Sequence, residues 1–347
     1  MTFVLGRRNA DGDSGGPTAV LGSYLARDGS RGARVRVDLD GPHAALVVGK
    51  RGAGKSYTAG VLAEALADAA GVAPVVVDPM GVFGGLADCG TTVVGEPAVA
   101  AGTLSPRAWC DLLSLSPEGA VGSLVWEAAT AADTLAGMRE TVDAAEAPAS
   151  DRRAAANHLR LAASWDVFDP GGLAAGGLAE PGGTVLDVSE LAPAATNAVV
   201  RATADALYRA RVEGWLGRLP WLLVDEAHAL FDGVAGPGLA RLLTRGRAPG
   251  VSLVAATQRP SALPAVAVSQ ADLVVAHRLT SGADIEALER TRPTYLADLG
   301  ERLPDGTGEA LVVDEATETA HTVAVRERRT PHGGDSPSAS ALAGEVE

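Results

Sequence analysis

The octapeptide Gly49-Lys50-Arg51-Gly52-Ala53-Gly54-Lys55-Ser56 constrains this chain more than any other stretch. Glycines at that spacing let consecutive backbone N–H groups turn inward on an anion. The lysine after the last glycine reaches the β- and γ-phosphates of a nucleotide, and the following hydroxyl can hold Mg2+. An apolar run, Ala44 to Val48, comes just before it, and Tyr57 to Ala69 follows with Val61, Leu62, Ala65 and Leu66 at helical spacing. Strand, loop and helix in that order form the context in which such a loop binds phosphate, and an ordinary Gly-rich turn lacks it. Gly49, Arg51, Gly52, Ala53, Gly54, Lys55, Ser56 and Tyr57 are therefore the candidate nucleotide contacts. ATP is the expected ligand, with Ser56 among the ligands of Mg2+.

The rest of the chain alternates apolar runs with helical stretches. Val72 to Asp78 reads as a second buried strand, closed by Asp78-Pro79, and further strands are expected at Gly183 to Val188, Trp221 to Asp225, Val251 to Ala256 and Leu273 to Ala276. Helices are expected between them, notably Ala194 to Glu213 and Gly238 to Arg245. This alternation predicts an α/β fold with a parallel sheet flanked by helices. From about Ala98 to Phe168 the composition is Ala-rich and punctuated by Pro106, Pro117 and Pro148, which reads as a helical insertion. Glu309 to Val313 and Thr322 to Val325 are expected to pair as a small C-terminal β hairpin. Residues 1–42 read as a lead-in with one short strand, Ala33 to Asp40, and 43–326 as the ATPase domain. The stretch 327–347, rich in Pro, Ser, Gly and acid, is expected to be a disordered acidic tail.

Two further strand ends carry chemistry. Trp221-Leu-Leu-Val-Asp225-Glu226 delivers adjacent carboxylates at the C-terminal edge of a strand, where open α/β sheets bind ligands. Beside a phosphate loop, Asp225 is the expected metal-shell carboxylate and Glu226 the residue that orients and deprotonates the attacking water. Val251 to Thr257 ends in Gln258 at the same edge, placed to sense the γ-phosphate or the water.

The chain has 43 acidic and 29 basic residues, a net charge of −14, and its only lysines are Lys50 and Lys55, both in the phosphate loop. Low Lys, high Arg and surplus carboxylate fit a GC-rich genome, with a halophilic, self-repelling surface as one reading and composition alone as the other. The balance argues against a generally basic face for nucleic acid, while a local basic lining escapes a net-charge count. Cys89 and Cys110 cannot make a disulfide framework, and the six histidines lack metal-ligand spacing. No apolar run approaches a membrane span and no leader-like start is present, so a cytoplasmic protein without membrane contact is expected.

These segments, taken with Asp78-Pro-Met-Gly-Val-Phe83 and Ala276-His-Arg278-Leu-Thr-Ser-Gly-Ala-Asp284, resemble the HerA group of the HerA/FtsK translocase superfamily. The resemblance runs from about His43 to Leu288, with the helical insertion the least alike. It implies a RecA-like core in a homo-hexameric ring that pumps double-stranded DNA with the character of a helicase, commonly beside a NurA-type nuclease. Two departures stand out. Residues 1–42 occupy the place where the family usually has a β-barrel that helps dock the nuclease. The motif after the second strand keeps Asp78 but has Met80, Val82 and Phe83 in place of the family's His, Glu and Tyr. A ring also calls for an arginine reaching into a neighbour's site, for which Arg247 and Arg278 are the candidates. Asp78, Arg247 and Arg278 thus join Glu226 and Gln258 as candidate catalytic residues, with Ser56 and Asp225 at the metal. His228 and His277 are read as orienting local backbone. The alternative function is an ATP-dependent switch or scaffold that gates a partner protein without moving DNA. A metabolic kinase is disfavoured, because Glu226 and Gln258 suit activation of water.

Overall fold

The computed structural model describes residues 3–7, 15–290 and 299–334. In chain order the elements are β1 (Phe3–Leu5), β2 (Thr18–Leu25), β3 (Arg31–Asp38), β4 (Ala44–Val48), α1 (Lys55–Asp68), β5 (Val72–Asp78) and β6 (Thr92–Val94). The insertion follows as α2 (Pro106–Leu112), α3 (Ala120–Ala131), α4 (Leu135–Ala144) and α5 (Ala149–Ala163). Then come α6 (Ala175–Leu178), β7 (Thr184–Asp187), α7 (Pro193–Val212), β8 (Leu219–Val224), α8 (Ala227–Phe231), α9 (Gly236–Arg245) and β9 (Ser252–Thr257). The chain continues through α10 (Ala265–Ser269), β10 (Leu273–Ala276), α11 (Gly282–Glu289), α12 (Leu299–Arg302), β11 (Glu309–Asp314) and β12 (Thr319–Val325).

Among the described residues the strands form one 12-stranded sheet in the order β1-β3-β2-β12-β11-β10-β4-β9-β8-β5-β7-β6. From β10 to β6 every neighbouring pair is parallel, so this RecA-like core can be closed only by crossovers that lay helices on both faces. That explains the unbroken apolar runs: alternate residues of one strand serve different cores. Leu46 and Val48 of β4 pack with Val75, Val77, Leu222 and Val224 beneath α7, α9 and the insertion. Ala45 and Val47 pack with Val76, Leu223, Val254 and Val275 beneath α1. The helical insertion has its own anchor in Trp109, which is fully buried, donates its indole N–H to the Ala101 carbonyl at 3.1 Å and lies 4.8 Å from the Phe168 ring.

The two ends of the chain depart from the sequence reading. The hairpin β11–β12 forms as expected, antiparallel from Glu309↔Ala324 to Asp314↔Thr319. The lead-in, however, carries two unforeseen strands: β1 pairs in parallel with β3, and β2 pairs with β12 through Gly22↔Val325 and with β3 along its length, so both termini extend one sheet. Gly22 and two register shifts interrupt the alternation that would have marked β2. Glycine is required there, because a Cβ would lie 2.0 Å from the Ala324 carbonyl oxygen.

At the other end, the stretch expected to be disordered from 327 is ordered as far as the described residues run, to 334. Residues 327–334 cross α1, held by Glu64, whose side chain is completely buried. The Glu64 carboxylate accepts hydrogen bonds from the backbone N–H groups of Arg329 (2.8 Å) and Thr330 (3.0 Å) and from the Thr330 hydroxyl (2.8 Å), and it ion-pairs with Arg326 at 2.7 Å. Residues 335–347 lie outside the described residues.

Candidate nucleotide site

β4 ends at Val48 and α1 begins at Lys55, so the phosphate loop turns at the C-terminal edge of the parallel core. Gly52 (φ +77°) and Gly54 (φ +113°) take left-handed backbone conformations that side chains disfavour. The loop is pinned from outside by the Lys50 N–H, which donates to the Arg278 carbonyl at 2.8 Å, and from within by the Ala53 N–H, which donates to the Lys50 carbonyl at 3.2 Å. The first turn of α1 leaves its leading N–H groups without intrahelical partners, which suits an anion.

β8 is separated from β4 by β9 and brings its carboxylates to the same edge. The Ser56 hydroxyl donates to Asp225 Oδ2 at 2.6 Å, joining the two groups assigned to the metal. Their pairing, a hydroxyl and a buried carboxylate with no basic side chain between them, is a hard-oxygen donor set that fits Mg2+. Asp225 Oδ1 accepts the N–H of Glu226 at 2.9 Å, and Glu226 sits at φ 47°, ψ 38°. A non-glycine residue held there costs of order 1–3 kcal/mol, which the surrounding turn must supply. Lys55 is buried with its Nζ 3.2 Å from the Lys50 carbonyl, and burial lowers its pKa while Glu226 and Asp225 oppose the shift. A nearly dry ammonium facing two carboxylates is poised to receive a polyanion and its metal together.

Glu226 is raised above the ordinary glutamate range, first by burial and then by the neighbouring Asp225 charge. Its Oε2 lies 3.4 Å from Gln258 Nε2 and 3.4 Å from His228 Nδ1, and the Thr257 hydroxyl is 3.1 Å from that same nitrogen. The ends of β8 and β9 are therefore linked through side chains, and His228 touches the proposed water-activating group where only a backbone role was expected. His277 likewise does more than orient backbone. Its Nδ1 is 2.7 Å from the Glu309 carbonyl, which can only accept, so Nδ1 carries the proton and Nε2 accepts from the Thr58 hydroxyl at 2.9 Å. The ring fills the space behind the loop: a Cβ on Gly49 would meet His277 Cβ at 2.7 Å, and one on Gly54 would meet Cε1 at 3.4 Å.

No protein-family model and no curated protein matches the sequence. Solved structures do match the architecture, and VirB4 of Thermoanaerobacter pseudethanolicus aligns with a TM-score of 0.68 at 18% identity over 91% of this chain and 98% of that one. This chain has the VirB4 fold. The bacterial conjugative coupling protein TrwB, truncated and in its unbound form, aligns with a TM-score of 0.58 at 16% identity, covering 90% of each chain. TrwB in complex with the non-hydrolysable GTP analogue GDPNP gives 0.52 at 15% identity, over 84% of this chain and 87% of that one. The parallel core flanked by helices that the motif resemblance implied is the architecture these two structures share with this chain.

Within this VirB4-like fold the remaining candidates separate. Arg278 follows β10 beside the phosphate loop, with its side chain half exposed and its Nε 3.9 Å from Asp305. Arg247 precedes β9 at the opposite edge of the sheet, lining a recess with Arg7, Asp38 and His43, and the full length of β4 lies between it and the phosphate loop of its own chain. Asp78 is buried, and both its oxygens are taken by the loop that follows: Oδ1 by the Met80 N–H at 3.2 Å and Oδ2 by the Phe83 N–H at 2.8 Å. Burial, opposed by those hydrogen bonds, raises its pKa. The geometry gives Asp78 the work of shaping this loop, at whose tip Met80 is 62% exposed. Tyr57 turns towards the C-terminal crossing: its hydroxyl accepts the Arg328 N–H at 2.6 Å, and its ring meets His332 edge-on at 5.7 Å.

Proposed function

We propose that this chain binds ATP with Mg2+ and hydrolyses it as a ring-forming motor of the HerA type that moves double-stranded DNA. The observation that carries the reading is the convergence, at one sheet edge, of the phosphate-loop lysine, the Ser56–Asp225 pair and the Glu226–Gln258–His228 cluster. Lys55 would steady the β- and γ-phosphates, and Ser56 with Asp225 would hold Mg2+, which supplies charge neutralisation on the transferred phosphoryl group. Glu226 takes the proton from the attacking water. Its position between an amide and an imidazole fixes the carboxylate's orientation, and partial burial makes it a stronger base than an exposed glutamate. The same features in a kinase would leave Glu226 without a task. The motor reading draws support from the fold shared with VirB4 and with TrwB, a bacterial conjugative coupling protein.

Lys55→Ala should lower ATP turnover by at least about a hundredfold, because Lys50 is the only other lysine available to replace its charge. Glu226→Gln should retain ATP binding while turnover falls about 10²- to 10⁴-fold. Equilibrium binding of a fluorescent ATP analogue, measured beside phosphate release, separates the two variants. Near wild-type turnover in either one would refute the site, and loss of binding in Glu226→Gln would make that residue structural.

A further inference from the structure

The β2–β3 hairpin has no part in the nucleotide site, yet its charge runs against the rest of the molecule. Residues 26–34, from Ala26 round the turn and into β3, are all exposed and include Arg27, Arg31 and Arg34 in a chain of net charge −14. None of these three guanidinium groups has a hydrogen-bond or ion-pair partner among the described residues, whereas Arg107 pairs with Asp111 and Arg290 with Glu286. The one acid on the tip, Asp28, is spent on the turn itself: its Oδ1 accepts from the Ser30 N–H at 2.9 Å and the Ser30 hydroxyl at 2.6 Å. Two backbone hydrogen bonds, Ala26 N–H to Ser30 and Gly29 N–H to Ala26, each 2.9 Å, close the turn, so the arginines project from a defined hairpin. Between them stand Gly29, Ser30, Gly32 and Ala33, small residues that let a partner approach the backbone closely.

We propose that this hairpin is a docking surface for the phosphodiester backbone of nucleic acid, gripping it independently of sequence and apart from the ATP site. The inference rests on the DNA-moving reading and adds a contact surface to it. A protein partner, including a second acidic copy of this chain, would need an apolar or aromatic anchor at the centre of the contact. The tip offers none, and the large exposed apolar side chains, Met80, Trp126, Leu161, Val212 and Trp215 among them, all lie on other elements. Arginine forks surrounded by small residues match a polyanion, where binding is driven by counterion release and planar guanidinium groups engage phosphate oxygens in pairs.

The test compares the full chain with a variant carrying Arg27→Gln, Arg31→Gln and Arg34→Gln. A control carries Arg139→Gln, Arg153→Gln and Arg160→Gln, which makes the same charge change on exposed helix positions of the insertion. Binding to a labelled 30-base-pair duplex is followed by fluorescence anisotropy across KCl concentrations. Three lost phosphate contacts should lower the slope of log affinity against log salt by about 2.7, and affinity at 0.1 M KCl by about 10²- to 10³-fold. Melting temperature and DNA-free ATP turnover should match wild type, and the control should keep the wild-type slope. If the wild type binds duplex and the hairpin variant binds it equally, or if the control loses as much, the hairpin assignment is overturned while DNA binding stands. If the wild type binds no duplex at any salt, the motor reading itself fails. Tighter, hairpin-dependent binding to phosphatidylserine vesicles than to duplex would replace nucleic acid with an anionic membrane.

Discussion

His277 shows how one side chain can set the shape of a phosphate loop without touching phosphate. Burial pushes its pKa down to about 4, and its Nδ1–H bond to the Glu309 carbonyl fixes the neutral tautomer that Thr58 requires. The unfolded chain binds a proton at this residue near pH 6.5, well above the folded protein. Stability from His277 is therefore complete above about pH 6.5 and is lost as pH falls towards 4, by on the order of 3 kcal/mol. Thermal denaturation between pH 7 and 4 should show this loss, and a His277→Gln variant, weaker at neutral pH, should show a shallower acid slope. An unchanged slope would remove His277 as the titrating group. The place of Glu226 at the end of an apolar strand was legible, but its contact with His228 and that of His228 with Thr257 were not, since they depend on the order β4-β9-β8 bringing two strand ends side by side. The signal available was Thr257 itself, a hydroxyl at the end of a buried strand one residue before Gln258.

Among the elements, α1 is gripped from two directions. Its N-terminus carries the phosphate loop, and its middle carries Glu64, over which the chain crosses after β12. Gly60 and Gly85 leave room for that crossing: a Cβ on Gly60 would fall 2.6 Å from the Arg328 guanidinium, and one on Gly85 would fall 2.3 Å from the Pro331 carbonyl oxygen. A buried carboxylate paired with arginine is costly to break, so Glu64→Gln should destabilise the fold by about 3–5 kcal/mol in chemical denaturation. Nested truncations locate the boundary: removing 335–347 should leave the denaturation midpoint in place, and removing 328–347 should lower it. Equal midpoints would show that the crossing contributes nothing. Composition pointed to disorder from 327 because Arg, Pro, Thr and Gly carry little hydrophobic signal, and the acceptor that orders them, Glu64, is remote in sequence. The parallel strands were readable for the opposite reason: a strand buried on both faces must be apolar throughout, and its ends are marked by the polar residues proposed for the chemistry. β2 escaped notice because it is patterned against β12, a strand at the other terminus.

At the scale of the whole molecule, the placement of the arginines bears on assembly. Arg247 lies at the sheet edge opposite its own phosphate loop, so any role in ATP chemistry must be exercised on a neighbouring copy. Mixing wild-type chains with Lys55→Ala or Arg247→Ala chains should therefore depress ATP turnover more steeply than in proportion to the variant fraction. A strictly proportional loss would indicate sites that work alone. The acidic surface predicts weak DNA affinity with a steep salt dependence, carried by a few local arginines. Coupling between DNA and hydrolysis is the point on which a motor and a protein-gating switch differ, and the direct measurement is steady-state ATP turnover with and without duplex DNA from 25 to 300 mM KCl. Duplex should accelerate turnover several-fold at the lowest salt, with the stimulation fading as salt rises. Turnover that ignores duplex at every salt concentration would contradict the account and leave the ATP-dependent switch as the function of this site.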